Sequence, residues 1–325
     1  MNKKVAIILS IMLAVGLLVG CQTKEESIVT KDIQVIVPDG LTSMAAAKLM
    51  KEKPEIAKNY NVNYSIEKSS ENIVAQVLKG EADIAVVPSN IAATQYNKDS
   101  GYQIAGTIGW GSFYLVSTEG DKTLEELKGQ EIYNIGKGLT PDLITKAVIK
   151  DMGFDPDKDF NFSYVDGVAE LAPLILAGKT KYAVVPEPAL SQVLSKNPNL
   201  KVIMNLNEEW KKKNDSQYGF PQSTVIIKKD LIKDDSKFVN EFLTKLEESC
   251  NFANESKDEM AAYSEEIGVS ASKSIIPQAV DKANIKFVRI KDCYKEYEVY
   301  FNKLKDLDPK SIGGKVPDEG VFMEK

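Results

Sequence analysis

Residues 40–88 of the chain recur without a gap as residues 138–186. Gly40-Leu41-Thr42 returns as Gly138-Leu139-Thr140. Gly80 followed by Ala85-Val86-Val87-Pro88 returns as Gly178 followed by Ala183-Val184-Val185-Pro186. Lys48, Asn63, Ser65 and Leu78 match Lys146, Asn161, Ser163 and Leu176, which makes 12 identities in 49 positions at one constant offset of 98. Such a unit is too long for a solenoid repeat and about the size of a small α/β lobe. Two similar lobes in one chain enclose a cleft, and the function is expected there.

Each copy reads as β-α-β-α-β. In the first, apolar residues 33–37 end at Pro38-Asp39-Gly40, predicting a strand and a turn. Thr42 or Ser43 is expected to cap a helix to about residue 53, and Ser69 or Ser70 a second one whose Ile73, Val74, Val77 and Leu78 share a face. Strands are expected at 63–66 and 84–87, the latter apolar on both sides as a central parallel strand should be. The second copy predicts strands at 131–135, 160–165 and 182–185. Thr140 is expected to cap a helix, and Pro173 to delay or kink the next one. Right-handed crossovers make each copy a parallel sheet with helices on both faces, a Rossmann-like lobe. Two apolar stretches outside the repeats, 113–117 and 223–227, are read as the crossover strands joining the lobes. The expected division is lobe 1 over 32–116 plus 226–325, and lobe 2 over 117–225. The helical remainder from about residue 230 is expected to pack back on lobe 1.

The first 21 residues stand apart. Lys3-Lys4 precede an apolar run from Val5 to Val19, which ends in Leu18-Val19-Gly20-Cys21. This looks like the lipobox of bacterial lipoproteins; an uncleaved membrane anchor is the alternative, and the run is short for a span. The expectation is a signal peptide over 1–20, Cys21 acylated as the mature N-terminus, and a polar tether over 21–31. Loss of residues 1–20 leaves 39 positive and 47 negative side chains, a net −8.

Composition excludes several function classes. The net charge of −6 argues against nucleic acid as a partner. The chain has no histidine, the commonest transition-metal ligand and acid/base group, so no metal and no cofactor is expected. Arg289 is the sole arginine, so anion recognition by several guanidinium groups is ruled out. Cys250 and Cys293 both fall in segments that read as helices. A disulfide is possible in an exported chain, and two buried free thiols is the preferred reading.

Together the lipobox, the duplicated G-x-x-x-(I/Y)-A-V-V-P element, Trp110-Gly111 before a crossover strand and the Pro-Asp-Glu-Gly-Val-Phe tail resemble a substrate-binding lipoprotein of an ABC importer. Within that superfamily the chain is most similar to the nitrate, sulfonate, taurine and thiamine-precursor group. The resemblance implies a two-lobed periplasmic binding protein of type II, a monomer held at the membrane by its lipid. It would close on a small solute and dock on a permease with its ATPase subunits.

The site itself follows from a general rule: ligands of open α/β sheets bind beyond the carboxyl ends of the strands. Lobe 1 then offers Asp39, Gly40, Thr42, Ser43, Ser89 and Asn90; lobe 2 offers Gly138, Thr140, Asp166 and Glu187. Trp110, Gly111 and Tyr114 precede or begin the first crossover; Tyr218 and Gln222 precede or begin the return. Helix ends carry free N–H groups and suit an anion, although Thr42, Ser43 and Thr140 could be caps and no more. Glu187 is read as an acceptor for an amine or ring N–H, and Trp110 as a flat face for stacking or as core. Such a cleft suits an amine-bearing heterocycle, a zwitterion or a sulfonate. The alternatives are a ligand-sensing lipoprotein, or an enzyme on the same fold, for which no catalytic constellation is found.

Overall fold

The computed structural model of the protein describes residues 30–98 and 101–325. The expected signal peptide, Cys21 and the tether up to residue 29 lie outside the described residues. The strands are β1 (Lys31–Pro38), β2 (Tyr60–Glu67), β3 (Ile84–Pro88), β4 (Tyr102–Trp110), β5 (Phe113–Ser117), β6 (Glu131–Ile135), β7 (Asn161–Val165), β8 (Tyr182–Pro186), β9 (Lys201–Asn205), β10 (Pro221–Lys228) and β11 (Ile285–Arg289). They form a six-stranded sheet ordered β11-β4-β10-β3-β1-β2 and a five-stranded sheet ordered β7-β6-β8-β5-β9.

The internal repeat reappears in this geometry. β2-β1-β3 corresponds to β7-β6-β8, and the helices Ser70–Leu78 and Val168–Leu176 sit at the same offset of 98, as do β3 and β8. The apolar Ile-Ala-Val-Val and Tyr-Ala-Val-Val runs are buried along their whole length, as central strands covered on both faces must be. Each is then flanked by an antiparallel strand that lies just past a crossing. β10 sets Thr224 opposite Val87, and β5 sets Tyr114 opposite Val185, the matched position.

Sheet membership moves the lobe divisions by a few residues. β5 lies wholly in the second sheet and β10 wholly in the first, so the chain crosses at Gly111–Ser112 and again just before Pro221, rather than at 116/117 and 225/226. A division inside either strand would strand backbone N–H groups without a ladder partner. Helix Val168–Leu176 runs through Pro173, and the expected helix after Gly40 breaks at Ala46 into Leu41–Ala45 and Ala47–Glu52. β4, β9 and β11 were not foreseen.

A single buried cluster joins the lobes. It takes in Val87 and Ile104 of the first sheet, Leu115, Ile132 and Val184 of the second, Leu143, Ile144 and Val148 of helix Thr140–Asp151, and Tyr297, Tyr300 and Leu304 of helix Ile290–Leu307. That last helix was expected on lobe 1 alone. It also lies against helix Thr140–Asp151, with Lys303 Nζ 2.7 Å from Asp151 Oδ1. Trp210 belongs to the same cluster and is fully buried, although its lysine-rich surroundings read as exposed. In helix Leu206–Asn214, Leu206 and Trp210 stand four residues apart on one face, while Lys212 and Lys213 point to solvent. Cys250 and Cys293 are both free and buried; burial pushes the Cys293 thiol up to about 12, which keeps it unreactive.

Candidate functional site

The first crossing is held tightly. Gly111 N–H donates to Phe220 O at 3.1 Å, and Asn284 Nδ2 donates to Gly111 O at 2.6 Å. A side chain at Gly111 would meet the Phe220 ring at 2.3 Å and Asn207 Oδ1 at 2.5 Å, so the two crossing segments touch only because this residue has no Cβ. Beside it, Ser112 donates through its N–H and hydroxyl to Gln222 Oε1 at 2.8 and 3.1 Å. Gln222 therefore links the two crossings to each other.

Glu187 lies against this junction. Its N–H donates to Ser112 O at 3.0 Å, and its carboxylate accepts from the Ser191 hydroxyl at 2.9 Å and the Ser191 N–H at 3.2 Å. It is 3% exposed. Burial pushes its carboxyl up to about 7, against the opposing pull of Ser191 and of the more distant Lys282 ammonium. Tyr114 is adjacent in the field of Glu187, and its hydroxyl donates to Lys282 O at 2.7 Å, from the second lobe to helix Ile276–Ala283 of the first. That helix touches helix Ala189–Lys196, which carries Ser191.

A second contact between the lobes joins two helix N-termini. Thr140 is not a cap: Leu139 is the N-cap, and the Thr140 hydroxyl donates instead to Asn90 Oδ1 across the lobes at 3.0 Å. Asn90 stands at the start of helix Ser89–Asn97 and is 1% exposed. Tyr300, fully buried on helix Ile290–Leu307, turns its hydroxyl toward the Thr140 hydroxyl and the Asn90 backbone N–H without completing a hydrogen bond to either.

The other expected residues are engaged locally. Ser89 Oγ pairs with Thr224 Oγ1 at 2.5 Å inside the first lobe. Thr42 Oγ1 donates to Pro38 O at 2.7 Å, and Ser43 Oγ accepts from Gly40 N–H at 3.0 Å, so neither hydroxyl caps its helix in the expected way. Asp39 accepts from Ser270 N–H at 3.0 Å. Gly138 N–H donates to Asp142 Oδ2 at 2.8 Å, which fills the anion position expected at that helix end. Asp166 is exposed, and its N–H donates to Glu170 Oε2 at 3.2 Å. Trp110 is packed into the core, with its ring 4.8 Å from that of Tyr218 and its indole N–H donating to Lys286 O at 3.1 Å. These two rings line an open surface pocket of about 470 Å³ with Lys211, Lys257 and Lys286, away from Glu187 and Thr140.

Three residues the sequence reading missed belong to these contacts. Ser191 holds Glu187 from one helical turn away, a spacing visible in Glu-x-x-x-Ser. Asp142 is 3% exposed and also accepts from the Tyr164 hydroxyl at 2.7 Å; acidic first-turn residues are its signal. Tyr300 lies in an amphipathic helix and carries no local signal. Among the described residues no group of side chains could hold a metal ion, and no helix is long and apolar enough to cross a membrane.

Comparison with known proteins places this geometry. The family described as "Menaquinone biosynthesis" matches residues 55–303. No curated protein matches the chain. Among solved structures, an ABC transporter protein from Parabacteroides distasonis is 29% identical, with a TM-score of 0.78 over 91% of this chain and 99% of that one. The periplasmic aliphatic sulphonate-binding protein of Escherichia coli is 12% identical, with a TM-score of 0.73 over 91% and 92% of the two chains. The periplasmic nitrate-binding protein of Synechocystis is 16% identical, with a TM-score of 0.64 over 90% and 87%. The two-lobed fold is thus that of ABC-transporter periplasmic binding proteins, as the sequence motifs implied.

Proposed function

Because the chain belongs to the menaquinone-biosynthesis family and is built like ABC-transporter binding proteins, we propose that it is an extracytoplasmic lipoprotein that captures a small solute between its lobes and delivers it to a permease and its ATPase subunits. One observation carries this reading: helix N-termini from opposite lobes meet at Thr140 and Asn90, 3.0 Å apart. A solute entering there exchanges a direct bond between the lobes for contacts to both, which is the differential interaction that drives closure. Anchoring through Cys21 is supported by the lipobox. The junction of Glu187, Tyr114, Ser112 and Gln222 supports an amine-bearing heterocycle or a zwitterion as the class of solute, and the helix ends at Thr140 and Asn90 support a sulfonate. An ionised Glu187 accepts the amine, and the crossings beside it transmit the contact to both lobes.

The test is a thermal-shift screen of the full chain in detergent against thiamine precursors, sulfonates, nitrate, nucleobases, riboflavin and amines. A bound solute raises the melting temperature by mass action. If no solute raises it, the reading fails. The family description favours a second reading, an enzyme on this fold, in which Glu187, with its carboxyl raised to about 7, would move a proton. Mass spectrometry of each stabilising solute after incubation separates the two: binding returns it unchanged.

A further inference from the structure

Tyr300 presents an anomaly that neither packing nor the reading above explains. Its hydroxyl is fully buried and completes no hydrogen bond, although the Thr140 hydroxyl and the Asn90 backbone N–H stand beside it. An unsatisfied buried hydroxyl costs about 1–3 kcal/mol, and phenylalanine would fill the same space without that penalty. The neighbouring Tyr297 shows the ordinary arrangement, with its hydroxyl paired to Thr107 and Thr224 at 2.7 Å each. The two tyrosines lie almost one turn apart on one helix, and only one of them is satisfied.

We propose that Tyr300 is a ligand-contacting residue, and that its hydroxyl, the Thr140 hydroxyl and the first N–H groups of helix Ser89–Asn97 together receive the carboxylate or sulfonate end of the solute. This deepens the solute-binding reading and rests on it. Three arguments fix the class of ligand. The groups gathered here can all donate: two hydroxyls and backbone N–H groups that have no acceptor inside their helix. Burial pushes the Tyr300 hydroxyl up, so it stays protonated and a donor at any physiological pH. Two helices of nine and twelve residues point their N-termini at one spot, where their partial positive charges add. An oxyanion satisfies all of these at once, and a cation satisfies none. Asn90 Oδ1 now takes the Thr140 proton. As the anion enters, the Thr140 hydroxyl turns from Asn90 Oδ1 to it, while the Asn90 NH₂ keeps its bond to Ser311 O at 3.3 Å. Glu187 is then left for the amine end of a zwitterion, which gives the cleft a polarity: anion at Tyr300, cation at Glu187.

The experiment compares Tyr300→Phe and Tyr297→Phe in the full chain in detergent, by calorimetric titration with taurine, ethanesulfonate, propionate and sodium nitrate, and by melting temperature. Tyr300→Phe is expected to bind the sulfonate and carboxylate probes about 10-fold or more weakly, for one lost charge-assisted bond, while melting no lower than the natural chain. Tyr297→Phe is expected to do the reverse, melting lower with its affinities unchanged. Nitrate tests whether a bare inorganic anion suffices; binding of nitrate alone overturns the organic-acid assignment. The proposal is also overturned if Tyr300→Phe keeps the natural affinities, or if the natural chain binds other solutes and none of these anions. That last outcome leaves the solute-binding reading standing. A chain that no solute of any kind stabilises removes both.

Discussion

Ser89 and Glu187 occupy matched positions, each directly after a buried Ala-Val-Val-Pro strand end, and their surroundings are opposite in kind. Ser89 opens a chain of neutral hydroxyls: Ser89 to Thr224 at 2.5 Å, Thr224 to Tyr297 and Tyr297 to Thr107 at 2.7 Å. Each of these hydroxyls can serve as donor or acceptor, and none is charged at any pH the cell meets. The Glu187 carboxylate accepts hydrogen bonds from one residue, Ser191, for a group whose ionised form needs several donors. Across from it, the position of Thr224 is taken by Tyr114, whose hydroxyl turns away to Lys282 O. The same backbone frame thus carries a finished scaffold in one lobe and an unfinished electrostatic site in the other. The frame recurs at the offset of 98, and only the second copy carries a carboxylate at this matched position.

Substitutions can break that contrast. The largest effect is expected from Glu187→Ala on affinity for an amine-bearing solute: a loss of about 100-fold, near 3 kcal/mol, by calorimetric titration. Ser89→Ala should leave the same affinity within about twofold. If both lose affinity equally, the two strand ends are alike after all. Next is a pH effect on the solute-free chain. The Glu187 carboxyl rises from its ordinary 4.5 to about 7 on folding. Folding therefore takes up protons, so this group's stabilisation is full below 4.5 and is lost as pH climbs through 7. Urea titrations should show about 1–3 kcal/mol less stability at pH 8 than at pH 4.5 from this source, and Glu187→Gln should flatten that slope. Thr224→Val removes the middle of the hydroxyl chain and should cost about 1–2 kcal/mol at every pH, with no change in affinity. The smallest effect sharpens the contrast from the other side. Ser191→Ala withdraws the hydroxyl that favours ionised Glu187, and should move the midpoint of the pH effect upward by about half a unit.

The frame was legible because the repeat encodes it directly. The helices Ser70–Leu78 and Val168–Leu176 fall at the offset read from identities alone. β4 was not legible, since its Gly106 and Gly109 look like loop residues. Gly106 is there for close packing: a side chain on it would come within 2.5 Å of Val288 O in β11. Trp210 was misread because three lysines follow it, and the Leu206 to Trp210 spacing carried the better signal. Of the site, Glu187, Asn90 and Thr140 could be named from the strand-end rule. Tyr300 could not. It reaches Thr140 from a helix 160 positions later in the chain, and no local pattern records which way a hydroxyl faces.

The placement of β10 bears on how the molecule is assembled. All five strands of the second sheet come from one uninterrupted stretch, residues 113–205. The first sheet has β10 at its interior, between β3 and β4, and β10 begins 133 residues after β3 ends. A chain emerging N-terminus first, from a ribosome or a translocation channel, can complete its second lobe while the first is still an open sheet lacking a central strand. The first lobe closes only once residue 228 has appeared. A fragment stopped before that point keeps its exposed β3 edge, the surface most ready to pair with a neighbouring chain.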